Sequence, residues 1–132
     1  MIEINNLTSF AVDKKLFTGI AKKVLSGENR GTETLSLAFI SKEEIKKLNK
    51  KFRGKNKPTD VLAFGGISNF EFRISNFLGE VVICPEVVKE KKEDIKKVFI
   101  HGIFHLLGHD HENSEEEAQK MEQKEKSYLN KI

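Results

Sequence analysis

The stretch FIHGIFHLLGHDH, residues 99–111, decides how the rest of the chain is arranged. Up to Leu107 it carries apolar side chains on nearly every side of a predicted helix, which is typical of a helix buried at the centre of a domain. Only the sector that carries His101 and His105 is polar. We therefore expect this sector to face a cleft and the other elements to pack around the helix.

Three histidines in this stretch, His101, His105 and His111, have the spacing of a metal site. Two imidazoles four residues apart lie on one face of a helix, separated by about 6 Å of rise. Gly108 is expected to adopt the left-handed conformation that ends the helix, so that the chain folds back and His111 completes the set. Three imidazoles leave a tetrahedral ion one open position, as in catalytic zinc sites. One Zn²⁺ is predicted, although nickel, copper and iron also accept imidazole ligands.

Gly102 separates this pattern from the zinc-protease signature H-E-x-x-H-x-x-G-x-x-H. The spacing agrees at every position but one, because Gly102 stands where the protease has its glutamate general base. Zinc generates a hydroxide nucleophile from its bound water, so metal-assisted hydrolysis is predicted. The residues alone leave peptides, phosphodiesters and amidines open as substrates. Asp110 is either a partner that orients an imidazole or an ordinary loop carboxylate, and His109 is predicted to be a bystander.

Composition predicts one globular domain that spans residues 1–132. The chain is 38% hydrophobic and 33% charged, and no apolar run reaches membrane-spanning length. Its single cysteine, Cys84, excludes an internal disulfide and suits a reducing compartment; we expect it to be buried at a strand end. Because the N-terminus also lacks the features of a signal peptide, we predict a cytoplasmic protein without membrane contact.

The order of the patterned segments predicts an α+β domain. We expect a mixed, mostly parallel sheet of about four strands, in which the last two strands form an antiparallel hairpin, layered with helices around the central His-bearing helix. Strands are predicted over 2–7, 34–40, 61–64 and 78–84. Helices are predicted over 12–24, from 41 to about 53, over 85–107 as one run that is continuous or nearly so, and from 114 onward.

Local signals fix several ends of these elements. Ser41 and Glu44 form a predicted capping box, Gly54 ends the helix that they open, and Ile45, Leu48 and Phe52 make its apolar face. The Gly-, Ser- and Asn-containing loop between the last two strands is predicted to be the most mobile part of the domain.

Charge is unevenly distributed around a net value of +3. The segment 42–57 is strongly basic, whereas acidic residues gather between 112 and 125. A basic segment that leads into a Gly/Pro loop can attract a polyanion. Most of these lysines are explained equally well as the solvated face of a helix.

Three segments, in the same order along the chain, resemble the YbeY family. They are FRGKNKPTDVL at 52–62, LGEVVI at 78–83 and the histidine motif, and the resemblance extends from about Leu35 to the C-terminus. The family comprises bacterial zinc-dependent endoribonucleases that cut single-stranded RNA. They act in ribosomal RNA processing, including maturation of the 3′ end of 16S RNA, and in ribosome quality control.

The resemblance implies that His101, His105 and His111 bind one zinc ion and that Arg53 is the basic catalytic residue. It also implies single-stranded RNA, ribosomal RNA and the small ribosomal subunit as partners, with no role for DNA. The chemistry agrees, because a guanidinium can stabilise charge on phosphoryl oxygens in bidentate fashion. Attack of zinc-bound hydroxide on phosphorus needs no neighbouring glutamate, so Gly102 is no defect.

The chain departs from the usual family pattern at Ala63, Gly65, Glu80 and His109, and its 86–100 segment is shorter than usual. Two alternatives stay open. A zincin-like metalloprotease is supported by the histidine spacing and opposed by Gly102. A non-catalytic ribosome-binding protein with a structural metal would require a fourth protein ligand. The oligomeric state is not predicted.

Overall fold

A computed structural model describes residues 2–65, 76–108 and 114–132. Within these ranges the strands are β1 (Ile2–Asn6), β2 (Thr34–Phe39), β3 (Val61–Gly65) and β4 (Phe77–Ile83). The helices are α1 (Lys14–Gly27), α2 (Lys42–Arg53), α3 (Pro85–Glu90), α4 (Ile95–Leu106) and α5 (Glu115–Leu129).

The sheet is mixed, with the strand order β1-β2-β4-β3. Strand β2 pairs in parallel with both β1 and β4, and β3 pairs antiparallel with β4 at the edge of the sheet. The predicted α+β class is confirmed, including the mostly parallel sheet and the hairpin of the last two strands.

Alternation along β2 supplies side chains to both faces of the sheet, as a pleated strand requires. Leu35, Leu37 and Phe39 enter the larger core cluster, together with buried residues of α1, α4 and α5. Ala38 enters the smaller cluster on the other face, which also contains Ile45 of α2 and Val87 of α3. Helices therefore cover both faces, with the histidine helix on the side of the larger cluster.

Helix α4 is the central helix, as its all-round apolar sequence predicts. Phe99, Ile100, Ile103 and Phe104 are fully buried, and the helix contacts β3, β4, α1 and α5. Gly108 follows it with a φ of 93°, the positive value expected of a residue that ends a helix in the left-handed region.

The predicted helical run over 85–107 is divided into two helices. Helix α3 ends at Glu90, and Lys92 then takes a positive φ of 57°, which a continuing helix cannot contain. The side chain of Asp94 accepts a hydrogen bond from the Lys96 amide and starts α4. The break falls in the charged stretch 89–94, which separates the apolar residues of α3 from those of α4, and Asp94 caps the new helix.

Other ends follow their local signals more closely. The Ser41 side chain accepts from the Glu44 amide, and Gly54 ends α2 with a φ of 70°, so both predictions are confirmed. Asp13 caps α1, which leaves Val12 before the helix rather than in it.

Phe52 was predicted to face inward, and this is wrong: it is 57% exposed. The smaller core cluster reaches Leu48 and Phe64 and leaves the last turn of α2 uncovered.

Cys84 is fully buried directly after β4, as predicted. The loop predicted to be most mobile falls largely in 66–75, outside the described residues. Among the helices that the structure describes, none is both long enough and apolar enough to cross a bilayer.

Candidate metal centre

His101 and His105 lie side by side on the sector of α4 that faces the cleft. Their Nε2 atoms are 3.0 Å apart, and the two rings stand nearly perpendicular, with an interplanar angle of 83°. Both residues are half-buried, because the rest of the helix packs into the core while this sector faces a cleft. The structure therefore brings together the two predicted ligands that it describes.

Glu125 of α5 holds the other side of the His101 ring. Its Oε1 lies 2.6 Å from His101 Nδ1, and the residue is only 4% exposed. An ionised carboxylate can only accept a hydrogen bond, so this contact favours the tautomer with the proton on Nδ1, in which Nε2 is the nitrogen that can act as a ligand. A carboxylate that fixes the tautomer of a metal-binding histidine in this way is a recurring feature of zinc sites.

The donor set fits a divalent ion. Two Zn–N bonds of about 2.0–2.1 Å at a tetrahedral angle place their nitrogens roughly 3.3 Å apart, close to the 3.0 Å observed. His111, the predicted third ligand, lies outside the described residues, together with Asp110 and His109. In the ranges that the structure describes, no group of three or more His, Cys, Asp or Glu side chains is placed to hold a metal. The complete triad stays a prediction.

The cleft in front of the histidines also contains Arg53. It has a volume of about 1510 Å³, and its walls come from the end of α2, from β3 and β4 and from α4. Pockets for small ligands are usually about 300–1,000 Å³. A cleft of this size suits a section of a polymer, with the exposed Arg53 guanidinium able to reach it.

Acidic side chains outnumber the lysine and arginine side chains along this cleft. The acidic lining residues are Asp60, Glu80, Glu93, Asp94 and Glu125, and the basic ones other than histidine are Arg53 and Lys97. The pKa of Glu93 is raised, mainly because its carboxyl is partly buried and to a smaller extent because it hydrogen-bonds with Asp60. A bound divalent cation would offset this excess of negative charge.

Asn49 holds the loop that follows α2. It is a buried polar residue of α2, 2% exposed, and its Nδ2 donates to the Lys57 carbonyl at 2.8 Å. This bond ties the loop after Gly54 back to the helix. Farther along this loop, Asp60 accepts from the amide of its neighbour Val61 at 2.9 Å. Sequence reasoning missed Asn49; its place beside Leu48 on the inner side of α2 is the signal.

Helix α4 packs closely against valines of the sheet at Gly102. A Cβ built on it would lie 2.7 Å from Val81 Cγ1 and 3.4 Å from Val61 Cγ2. Contacts under about 3 Å are repulsive, and a branched, fully buried valine has little freedom to move away. Position 102 therefore points at the sheet, whereas a protease's base must reach the metal.

Sequence reasoning also missed Glu125, because it reads as one more charge in an acidic C-terminal segment. The signal in the sequence is the spacing of Glu125 from the buried residues of the same helix. Met121, Glu125 and Tyr128 follow one another at spacings of four and three residues, and all three are buried on one face of α5. A charged residue at a core position requires a partner, and the partner here is a histidine.

Known proteins resemble this chain over nearly its full length. A family model described as Endoribonuclease YbeY matches residues 3–132. A protein of Bdellovibrio bacteriovorus with that name is 42% identical over 76% of this chain and 67% of its own length. A protein of the same name from Sulfurihydrogenibium is 36% identical over 83% of this chain and 77% of its own length.

Among solved structures, the solution structure of a Thermotoga maritima protein has the same fold. It superimposes with a TM-score of 0.64 at 31% identity and covers 98% of this chain and 87% of its own. The relatives carry the name of an enzyme, an RNA-cleaving hydrolase, and the match extends over both the described histidines and the Arg53 segment. The chain therefore belongs to the YbeY family of endoribonucleases.

Proposed function

We propose that this protein is a zinc-dependent endoribonuclease that cuts single-stranded RNA with one ion held by His101, His105 and His111. The observation that carries the proposal is the pair of imidazole nitrogens at 3.0 Å, oriented by a buried carboxylate, in the same cleft as Arg53. A zinc ion supplies a Lewis acid that makes water acidic enough to serve as a nucleophile near neutral pH.

The residues of the chain have separate tasks in this reaction. Glu125 keeps the proton on His101 Nδ1, so that the opposite nitrogen is available as a ligand. Arg53 binds the phosphoryl oxygens and stabilises the charge that grows on them as the phosphodiester is attacked. The width of the cleft leaves space for nucleotides on both sides of the bond that is cut.

The metalloprotease alternative lacks its base. No side chain can extend from position 102 toward the metal without displacing Val81. The matched relatives are also named as endoribonucleases.

The substrate is proposed to be ribosomal RNA, and the partner the small ribosomal subunit. Support for this step comes from the resemblance to the family and from the exposed lysines of α2, namely Lys46, Lys47, Lys50 and Lys51. Cations along one helix attract RNA through its phosphates, independently of base sequence. Maturation of the 3′ end of 16S RNA is the proposed reaction.

The proposal is tested by metal analysis combined with cleavage of ribosomal RNA precursors. Arg53→Ala is expected to keep its zinc and to lose about 10²–10³-fold in kcat, the usual effect of removing one charge-stabilising donor. Arg53→Lys keeps the charge without the bidentate geometry, and its kcat is expected to lie between that of the wild type and that of Arg53→Ala. Lys22→Ala, an exposed cation on α1, is the matched control.

His111→Ala is expected to abolish cleavage while the fold persists. Chelator-resistant cutting by that variant would overturn the zinc mechanism. Tight zinc binding without cleavage by any preparation would instead favour the non-catalytic ribosome-binding protein.

A further inference from the structure

Phe52 is the exposed aromatic side chain of the cleft. The large apolar side chains that lie exposed in the described part of the chain are Leu7, Phe10, Phe52 and Ile132. Of these only Phe52 lines the cleft. It is 57% exposed at the end of a helix whose inner face is otherwise covered. A single exposed apolar side chain is ordinary on a protein surface, so what distinguishes Phe52 is its setting beside Arg53 in the cleft.

Phe64 holds the Phe52 ring in place. The two ring centroids lie 5.2 Å apart with an interplanar angle of 67°, an edge-to-face contact that contributes about 0.5–1.5 kcal/mol beyond area burial. Phe64 is itself half-buried on the edge strand β3 and packs against the smaller core cluster. The exposed ring is therefore supported from the sheet, and its position is defined before any ligand arrives.

Cations lie close to this ring. Lys51 Nζ lies over one face of it, 5.3 Å from the Phe52 centroid, and Arg53 follows directly in sequence. Lys55 is exposed in the loop that follows Gly54. A flat aromatic surface flanked by cations is the arrangement with which proteins bind single-stranded nucleic acid, because the bases stack on the ring while the phosphates meet the charges.

We propose that Phe52, supported by Phe64, is a stacking subsite for an unpaired nucleobase of the RNA strand that enters the cleft. In a duplex both faces of each base are covered by neighbouring bases, so the subsite takes a base from a single strand only. Arg53 then receives the adjoining phosphate. This inference rests on the proposed function, since it assigns a preference for single strands to one ring.

The test compares Phe52→Leu, which keeps an apolar side chain but removes the aromatic face, with Phe52→Trp, which keeps the face. Phe10→Leu is the matched control, because Phe10 is an exposed phenylalanine, 39% accessible, that does not line the cleft. Binding is measured in the His111→Ala background with a single-stranded oligoribonucleotide that carries one fluorescent adenine analogue. The KM for RNA cleavage is measured in the zinc-loaded protein.

Phe52→Leu is expected to weaken single-strand binding about tenfold and to remove the fluorescence quenching that stacking produces. It should leave duplex binding unchanged, and Phe52→Trp and Phe10→Leu should retain both properties. If the wild type cleaves RNA and Phe52→Leu binds single strands as tightly, the subsite is wrong and the proposed function stands. If the wild type neither binds nor cleaves RNA, both the stacking subsite and the proposed function are wrong. A dimer that Phe52→Leu dissociates would assign the ring to a protein contact and overturn the subsite.

Discussion

The contact between Glu125 and His101 joins two residues 24 positions apart and lies largely out of solvent. A buried carboxylate is costly unless it is paired, and its pairing here fixes which imidazole nitrogen faces the cleft. At the scale of single residues, this contact links α5 to a histidine that we propose as a metal ligand.

Glu125→Gln is expected to weaken zinc binding by about 10–100-fold, the usual effect of losing a partner that orients a ligand. The amide N–H can donate a hydrogen bond to Nδ1 and so favours the tautomer that carries its proton on Nε2 and cannot coordinate through that atom. Zinc affinity, measured by competition with a chelating dye, is the readout.

Glu122→Gln on the same helix is the matched control, since Glu122 is exposed and pairs only loosely with Lys126 at 3.6 Å. Unchanged zinc affinity in Glu125→Gln would show that the carboxylate has a packing role alone.

Residue patterns predicted the two described histidines as neighbours and Gly108 as a helix end, because both follow from helix geometry. Arg53 was predicted from a family resemblance, and the structure adds that it lines the same cleft as His101. Glu125 was missed because its partner is distant in sequence. Such a pair becomes visible only when α4 and α5 are packed together.

At the scale of elements, the approach of α4 to the sheet depends on the absence of a side chain at Gly102. The helix contacts both β3 and β4 there, and the nearest side chain, Val81, is fully buried. This close approach carries the histidine sector up to the cleft wall that β3 forms.

Gly102→Ala is expected to lower the free energy of unfolding by about 1–3 kcal/mol, the usual range for overpacking a core. Part of that loss is offset by the higher helix propensity of alanine. Urea denaturation of the metal-free protein measures the change.

Combining Gly102→Ala with Val81→Ala provides the control. The second substitution removes the methyl groups that clash, so the two effects should be less than additive. Strict additivity would show that the Gly102 contact does not limit the packing of α4.

Element boundaries show what one-dimensional patterns leave undetermined. The strands, the α2 caps and the hairpin were predicted correctly, because alternation and capping are local. The division of the 85–107 run was not, since the charged residues 89–94 between α3 and α4 are themselves compatible with an exposed stretch of one helix. The turn at Lys92 reorients the chain so that Val88 and Val98 can enter the same core cluster.

For the molecule as a whole, metal binding and stability are expected to be linked. The proposed ligands lie on α4 and on the segment before α5, so an ion would join the central helix to the last one. A ligand at about a thousand times its Kd adds about 4 kcal/mol to the stability of the folded state.

Chelation is therefore expected to lower the Tm, and added zinc to restore it, as followed by circular dichroism. The shift should disappear in His101→Ala. A chelator effect of equal size in that variant would point to a different binding site.

The end of α1 is tied to α5 through a second buried polar contact. Tyr128 donates to Glu28 at 2.6 Å, and Lys124 pairs with the same carboxylate at 3.0 Å. Gly27 allows the approach, because a Cβ there would meet the Tyr128 hydroxyl at 2.1 Å.

This contact predicts a loss of stability at alkaline pH. Burial, together with the hydrogen bond to Glu28, raises the pKa of Tyr128 to about 12, whereas an unfolded chain releases the proton near pH 10. The stability that Tyr128 contributes is present below about pH 10 and is lost as the pH rises toward 12.

Tyr128→Phe should remove this part of the pH dependence, as seen by comparing urea denaturation of the two proteins at pH 9 and pH 11. Parallel losses in the two proteins would contradict the assignment to Tyr128.

The space around Gly102 also has an evolutionary meaning. A single substitution to glutamate at that position is expected to be strongly destabilising in this chain, because the helix would have to move off Val81 and Val61. Smaller residues on the two strands would have to arise beforehand. Descendants with a larger residue at the helix position should therefore carry alanine or glycine opposite it, a paired change that sequence comparison can detect.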